Sequence, residues 1–175
     1  MAEAKRKSRS ATLSVVPDAA PKVRVRGALR VLVLSGPNLD RLGKREPEIY
    51  GKATLAEIHE QIAAAAALRK AVVDCRQSNH EGALIDWIGT ASDDGFSGIL
   101  LNAGALTHTS FALFDALKAS TLPTIEVHIS NPEAREAFRK ESLVAPACVG
   151  KVAGFGAASY TLALTGLLDR LQGSQ

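Results

Sequence analysis

A doubly wound α/β domain, with five parallel strands and helices on both faces of the sheet, is the fold class this sequence predicts. The first observation behind it is alternation: between residues 29 and 171, short apolar runs rich in Val, Ile and Leu are followed in turn by segments of helical periodicity. The second is placement, because polar residues with chemical capability collect where those runs end. In open parallel sheets that is where ligands bind. The third is size: 175 residues, 46% hydrophobic and 22% charged, suit one domain with a full core.

Residues 1–28 carry seven basic and two acidic side chains, hold Pro17 and Pro21, and lack a periodic apolar pattern. They are expected to form a disordered basic extension, with the folded domain spanning 29–175. Leu29–Leu34 then reads as a buried strand. Thr54 and Glu57 have capping-box spacing and open an Ala-rich helix with Leu55, Ile58 and Ile62 on one face. Ala71–Cys75 is the second predicted strand. Ser78 and Glu81 offer another capping box, followed by a helix with Leu84, Trp87 and Ile88 on its apolar face. Gly98–Leu101 is the third strand, followed by a helix from about Thr109 to Ala119. Pro123–His128 is the fourth strand. Asn131 and Pro132 look like an N-cap and a first-turn proline, which predicts a helix there. Ala147–Ala153 is the fifth strand and Ala158–Leu171 the last helix. Five such units match a flavodoxin-like sheet of order 2-1-3-4-5.

The charge balance narrows the function. Outside the extension, fourteen basic side chains face sixteen acidic ones, so the high pI belongs to residues 1–28 and no nucleic-acid-binding face is expected. No apolar run approaches the roughly 18 residues of a membrane span. A cytoplasmic location is expected; an organellar leader is the weaker alternative, since Glu3 and the missing amphipathic spacing speak against it. Cys75 and Cys148, each inside a predicted strand, read as buried reduced thiols. No metal-ligand spacing occurs.

The stretch from Gly36 to Gly51 is the most informative segment. Pro37, Pro47 and its terminal glycines forbid ordinary helix or sheet. Long irregular loops in compact domains are usually lids or binding loops. This one offers Asn38 near the strand end and Tyr50 five residues after Arg45, a set able to hold a phenolate beside a fixed cation. The third strand ends in Asn102 and His108, the fourth in Glu126, His128, Ile129 and Ser130. Each has an ordinary reading: a backbone-bonded histidine, a helix cap, a turn residue, a surface loop. Arg135 and Arg139, four apart on the predicted helix, are solvated cations or an edge turned toward an anion. The free N–H groups of that helix would lie beside Ile129 and Ser130, a ready carboxylate site. Together these groups suit removal of a proton next to a carbonyl, with loss of a hydroxyl, on a small carboxylic acid.

At these residues the chain resembles the type II 3-dehydroquinate dehydratases. The resemblance rests on GPNLDRLGKREPEIYG at 36–51, QSNHEGALIDWI at 77–88, LNAGALTHTS at 101–110, IEVHISNPEAREAFR at 125–139 and GFGAASYTLAL at 154–164. It implies a flavodoxin-like fold, no cofactor and no metal, and dehydration of 3-dehydroquinate to 3-dehydroshikimate through an enolate. That reaction serves the shikimate pathway to aromatic amino acids, or quinate breakdown. By matching position, Tyr50 would be the base and Arg45 would lower its pKa from the ordinary value of about 10. Asn38 would position the groups that hold the enolate. His128, oriented by Glu126, would protonate the departing hydroxyl. Asn102, His108, Arg139 and the backbone of Ile129 and Ser130 would hold substrate hydroxyls and carboxylate. Arg135 matches a lid-side arginine. Asp115 matches a residue that reaches a neighbouring subunit's site, in a family that assembles as a trimer-based homododecamer. Ser35, Asp40-Arg41, Phe114 and Lys140–Leu143 depart from the family's common residues.

Three rivals have less support. A nucleotide or flavin module would need more than Gly154-Phe155-Gly156, and no phosphate-binding loop motif is present. A serine hydrolase would need a G-x-S-x-G elbow, which is missing. A non-catalytic assembly subunit would have no need of Tyr50, Arg45 and His128.

Overall fold

A computed structural model of the protein describes residues 27–44 and 51–173. Strands β1 (Leu29–Ser35), β2 (Ala71–Gln77), β3 (Gly98–Asn102), β4 (Thr124–His128) and β5 (Gly150–Ala153) form one parallel sheet in the order β2-β1-β3-β4-β5. The predicted topology holds. Helices α1 (Leu55–Leu68), α2 (Glu81–Thr90), α3 (Phe111–Ala119) and α4 (Ala158–Gly173) cover it on both faces. No helix of the described residues is long and apolar enough to cross a membrane.

The strand period of two explains the layering. Val31 and Val33 of β1, Leu100 of β3 and Ile125 and Val127 of β4 join one core with Ile58 and Ile62 of α1 and Leu164 and Leu167 of α4. Leu32 and Leu34, with Ile99 and Leu101, face the opposite core with Leu84 of α2 and Leu113 of α3. Each fully buried Leu, Ile or Val contributes on the order of 1.5–3 kcal/mol. A central strand with a core on each side must be apolar throughout, which is why these runs were visible in sequence.

Local signals set two of the four helix starts. Thr54 accepts from the Glu57 N–H while the Glu57 carboxylate accepts from the Thr54 N–H, completing the expected capping box of α1. Ser110 caps α3 by accepting from the Leu113 N–H at 2.8 Å. The second expected capping box does not form. Ser78 N–H is bound to the Ser35 carbonyl at 3.0 Å, which extends the β1–β2 ladder through Ser78. Its hydroxyl instead accepts from the His80 N–H, and His80 becomes the N-cap of α2 with no side-chain cap bond.

Two further expectations need correction. The helix expected after Asn131 is a pair of 3₁₀ turns, Pro132–Ala134 and Ala137–Arg139, with extended backbone at Arg135 and Glu136. Asn131 does cap its turn, accepting from the Glu133 N–H at 3.1 Å. The segment has no apolar stripe to bury, and its one large apolar residue, Phe138, is exposed. Without a face to pack, a short helix is not sustained. The helix dipole proposed beside Ile129 and Ser130 is therefore not there. β5 begins at Gly150 rather than Ala147, because Ala145–Ala147 forms a 3₁₀ turn around Pro146, which has no N–H for a ladder. Cys148 thus lies before the strand, while Cys75 is inside β2. Burial, and secondarily nearby carboxylates, push both thiols up to about 12, so they stay neutral.

The loops after β1 and β3 press backbone against backbone. The Gly36 N–H donates to the Asn102 carbonyl at 2.8 Å, and a Cβ on Gly36 would lie 2.4 Å from the Ala103 carbonyl oxygen. Gly104, at φ +59°, packs against the Pro37 carbonyl. Only glycine fits this approach at residue 36. It pins the two loops at the point where the strand order reverses, and a cleft opens above them.

Candidate active site

The cleft lies beyond the carboxyl ends of β1, β3 and β4. Pro37, Asn38, Leu39 and Leu42 line it from the loop after β1, and Asn102, Gly104, Ala105 and His108 from the end of β3 and the turn after it. His128, Ile129 and Ser130, with Pro132, Arg135 and Arg139, close the far side. Asn38 holds a left-handed conformation, φ 66°, and its N–H donates to the Asn79 side-chain oxygen at 2.8 Å. That conformation suits Asn better than most residues.

Strand alternation places Glu126 and His128 on one face of β4. The Glu126 carboxylate is fully buried and its Oε1 accepts from His128 Nε2 at 2.5 Å. Oε2 accepts from the Ser142 hydroxyl at 3.0 Å, and Lys151 Nζ lies 4.0 Å from Oε1. Burial alone would raise this carboxyl's pKa, but the hydrogen bond and charge of His128, with Lys151 and Ser142, outweigh it and hold the pKa below the usual value. An ionised Glu126 can only accept, so His128 carries its proton on Nε2 and turns Nδ1 away from the carboxylate.

His108 is fixed in the opposite sense. Its Nδ1 lies 2.6 Å from the Glu141 carbonyl, which can only accept, so Nδ1 is the protonated nitrogen. Nε2 is then the nitrogen not committed to that bond. Asn102 is buried and its amide is oriented from two sides: Nδ2 donates to the Tyr160 hydroxyl at 3.0 Å, and Oδ1 accepts from the Gly104 N–H at 3.3 Å. Ser35 Oγ lies 3.2 Å from the same tyrosine oxygen. Burial pushes the Tyr160 phenol up to about 12, beyond the help of its two hydrogen bonds, so it remains a neutral hydroxyl.

Arg135 and Arg139 reach the cleft from the 3₁₀ turns, and both approach the Glu136 carboxylate through Nε, at 3.4 and 2.8 Å. The cleft therefore has a cationic rim, though not on a helix face. Asp115 is exposed on α3 and is not part of this chain's cleft wall. Arg45 and Tyr50 lie outside the described residues. Eight of the residues singled out in the sequence line one cavity, with Glu126 bound to His128 behind it. It did not anticipate the roles of Tyr160, Ser142 and Lys151. A tyrosine in the buried face of α4 is itself a signal, because a buried phenol needs a partner; the other two have no local mark.

A flavodoxin-like sheet with a carboxylate–histidine pair at the head of such a cleft is the framework of an acid–base enzyme. The family model described as dehydroquinase class II matches residues 29–168. A protein of Rhodopseudomonas palustris (strain TIE-1) named 3-dehydroquinate dehydratase is 52% identical over 147 residues, covering 84% of this chain and 97% of the relative. A like-named protein of Nostoc sp. (strain PCC 7120) is 54% identical over 145 residues, 83% of this chain and 98% of the relative. The crystal structure of the type II dehydroquinase from Butyrivibrio crossotus superposes with a TM-score of 0.78 at 43% identity, covering 80% of this chain and 97% of that one. The chain belongs to the class II dehydroquinase family.

The Glu126 environment makes a pH-dependent prediction. A carboxyl whose pKa is lower folded than unfolded contributes stability above its unfolded value, about 4.3, and loses it as pH falls through the folded value. Glu126→Gln should therefore be less stable than wild type at pH 7, by about 1–3 kcal/mol. The gap should close below pH ~4, as read by urea unfolding across pH; a gap constant with pH would contradict the ionised assignment.

Proposed function

We propose that this chain is a hydro-lyase that dehydrates 3-dehydroquinate to 3-dehydroshikimate through an enolate, a step of the shikimate pathway. The observation that carries the reading is the Glu126–His128 pair, set at a cleft with Asn102 and His108, in a chain of this family. Tyr50, with Arg45 stabilising its phenolate, removes the proton beside the ketone. The electron pair passes into the ketone oxygen, and Asn38 positions the groups that hold the enolate. The enolate then collapses as His128 delivers a proton to the departing hydroxyl, which leaves as water. Glu126 supports the imidazolium that this donation requires, since the ionised carboxylate lies against Nε2 and leaves Nδ1 for the hydroxyl.

Asn102 and His108 hold ring hydroxyls. The fixed amide of Asn102 and the Nδ1-protonated form of His108 each present a defined partner to the cleft. Arg139 and the backbone of Ile129 and Ser130 take the substrate carboxylate, with Arg135 on the lid side. With no helix dipole at this rim, the anion anchor falls mainly to the guanidinium.

The same reading assigns catalysis to residues 29–175 and none of it to the basic extension 1–28, and it makes the enzyme cytoplasmic. It also includes a trimer-based homododecamer in which Asp115 completes a neighbour's site. Asp115 and Phe111 are four apart on α3 and both exposed, which offers one face for a partner.

Purified protein should convert 3-dehydroquinate to a product with the ultraviolet absorbance of a conjugated acid. Tyr50→Phe should retain substrate binding but lose turnover to below about 1% of wild type, since general-base removal costs about 10²–10⁴-fold. No absorbance change with wild type, or a Tyr50→Phe enzyme with more than a few per cent of its kcat, would contradict the proposal. Light scattering should give the mass of a dodecamer, and a fully active monomer would remove the role given to Asp115.

A further inference from the structure

The segment Glu141–Leu143 is linked to both histidines of the cleft, to His108 directly and to His128 through Glu126. The Leu143 N–H donates to the Thr107 carbonyl at 2.9 Å, tying the segment to the turn that carries His108. The Glu141 carbonyl accepts from His108 Nδ1 at 2.6 Å. Between them, the Ser142 hydroxyl donates to Glu126 Oε2 at 3.0 Å, on the carboxylate that holds His128. Ser142 Oγ also accepts from the Ala145 N–H at 3.0 Å, which orients the hydroxyl's lone pair away from Glu126 and its proton toward it.

From this geometry we infer that Glu141–Leu143 is a strap that sets the tautomers of both histidines, with Ser142 as a positioning residue for His128. The inference rests on the dehydratase reading for its kinetic consequence, though not for its tautomers. A carboxylate fully removed from solvent must be satisfied on both oxygens to stay ionised. His128 serves Oε1 and Ser142 serves Oε2. Among the described residues Ser142 is the neutral donor to Oε2, and without it a proton on the carboxyl becomes more favourable. A protonated Glu126 would donate to His128 Nε2, reversing their hydrogen bond and moving the imidazole proton to Nδ1. The other groups facing Glu126 do not substitute for Ser142. Lys151, on β5, stands 4.0 Å from Oε1, the oxygen already bound by His128. Cys148 stays a neutral thiol whose S–H donates to the Val144 carbonyl, so it does not serve Oε2. β3, on the other side of β4, pairs Leu101 with Glu126 and brings no charge.

Ser142→Ala is the variant to make, with Ser142→Thr as the conservative rescue. On 3-dehydroquinate, Ser142→Ala should lower kcat about tenfold and leave KM within about twofold. Its acid limb in the kcat–pH profile should move up by about one pH unit, because an ionised Glu126 is lost at higher pH, one unit being a tenfold change in protonation equilibrium. Ser142→Thr should restore both. The chain has four histidines, so ¹⁵N NMR of the imidazoles can resolve each one. In wild type at neutral pH, neutral His128 should show the Nε2–H form and His108 the Nδ1–H form. In Ser142→Ala, the His128 resonances should shift toward the Nδ1–H form as pH falls, at a higher pH than in wild type. Should Ser142→Ala fail to fold, Ser142→Cys keeps the volume with a weak donor and is expected to behave alike. An unmoved acid limb together with wild-type His128 resonances would overturn the inference. Wild-type protein inactive on 3-dehydroquinate would sink the dehydratase reading instead, leaving the NMR comparison to decide the strap.

Discussion

An ionised carboxylate buried in a parallel sheet is the constraint on which this site depends. Glu126 sits in the middle of β4, where β3 sets an apolar residue, Leu101, beside it and only β5 offers a charge, Lys151. Placed there unpaired it would be destabilising by several kcal/mol or would simply protonate. The surrounding structure is arranged to prevent that. His128 follows two residues later on the same face, the chain returns sixteen residues later to supply Ser142, and β5 brings Lys151 alongside. Those partners give the carboxylate its low pKa, and the carboxylate in turn dictates which nitrogen of His128 faces the cleft.

The opposite end of the cleft is set by steric rather than electrostatic means. Gly36 and Gly104 let the first and third loops meet at the reversal of strand order, and that contact seats Asn38 across from Asn102. Behind them, the Tyr160 hydroxyl bridges Ser35 and Asn102, so α4 contributes to amide orientation without entering the cleft. Hydrophobic layering fixes the strands, strand ends fix the loops, and a few buried hydrogen bonds fix the side-chain orientations that chemistry requires.

The sequence showed the fold because each central strand must satisfy a core on both faces, which leaves apolar runs such as Val31–Leu34 and Ile99–Leu101. It showed the site because parallel topology sends Asn38, Asn102, His108 and His128 to one edge. It misrepresented residues 132–139, where an N-cap and proline start a turn that no apolar face can extend into a helix. The start of β5 was misplaced for a related reason, with Pro146 breaking a run that hydropathy alone would continue. Ser142 and Lys151 carried no local mark of their purpose, since each acts on Glu126 from a distant point in the sequence. Such pairings are visible only when the chain is folded.

The central claim is a division of labour: a base on the first loop forms the enolate, and the Glu126-held His128 acts on the hydroxyl alone. Its most direct test is to incubate the His128→Ala enzyme with 3-dehydroquinate in D₂O and follow the substrate by proton NMR. The account predicts that one of the two hydrogens of the CH2 group beside the ketone exchanges for deuterium while dehydration is suppressed. Loss of exchange in step with loss of dehydration, or product formed at a rate near that of wild type, would contradict it.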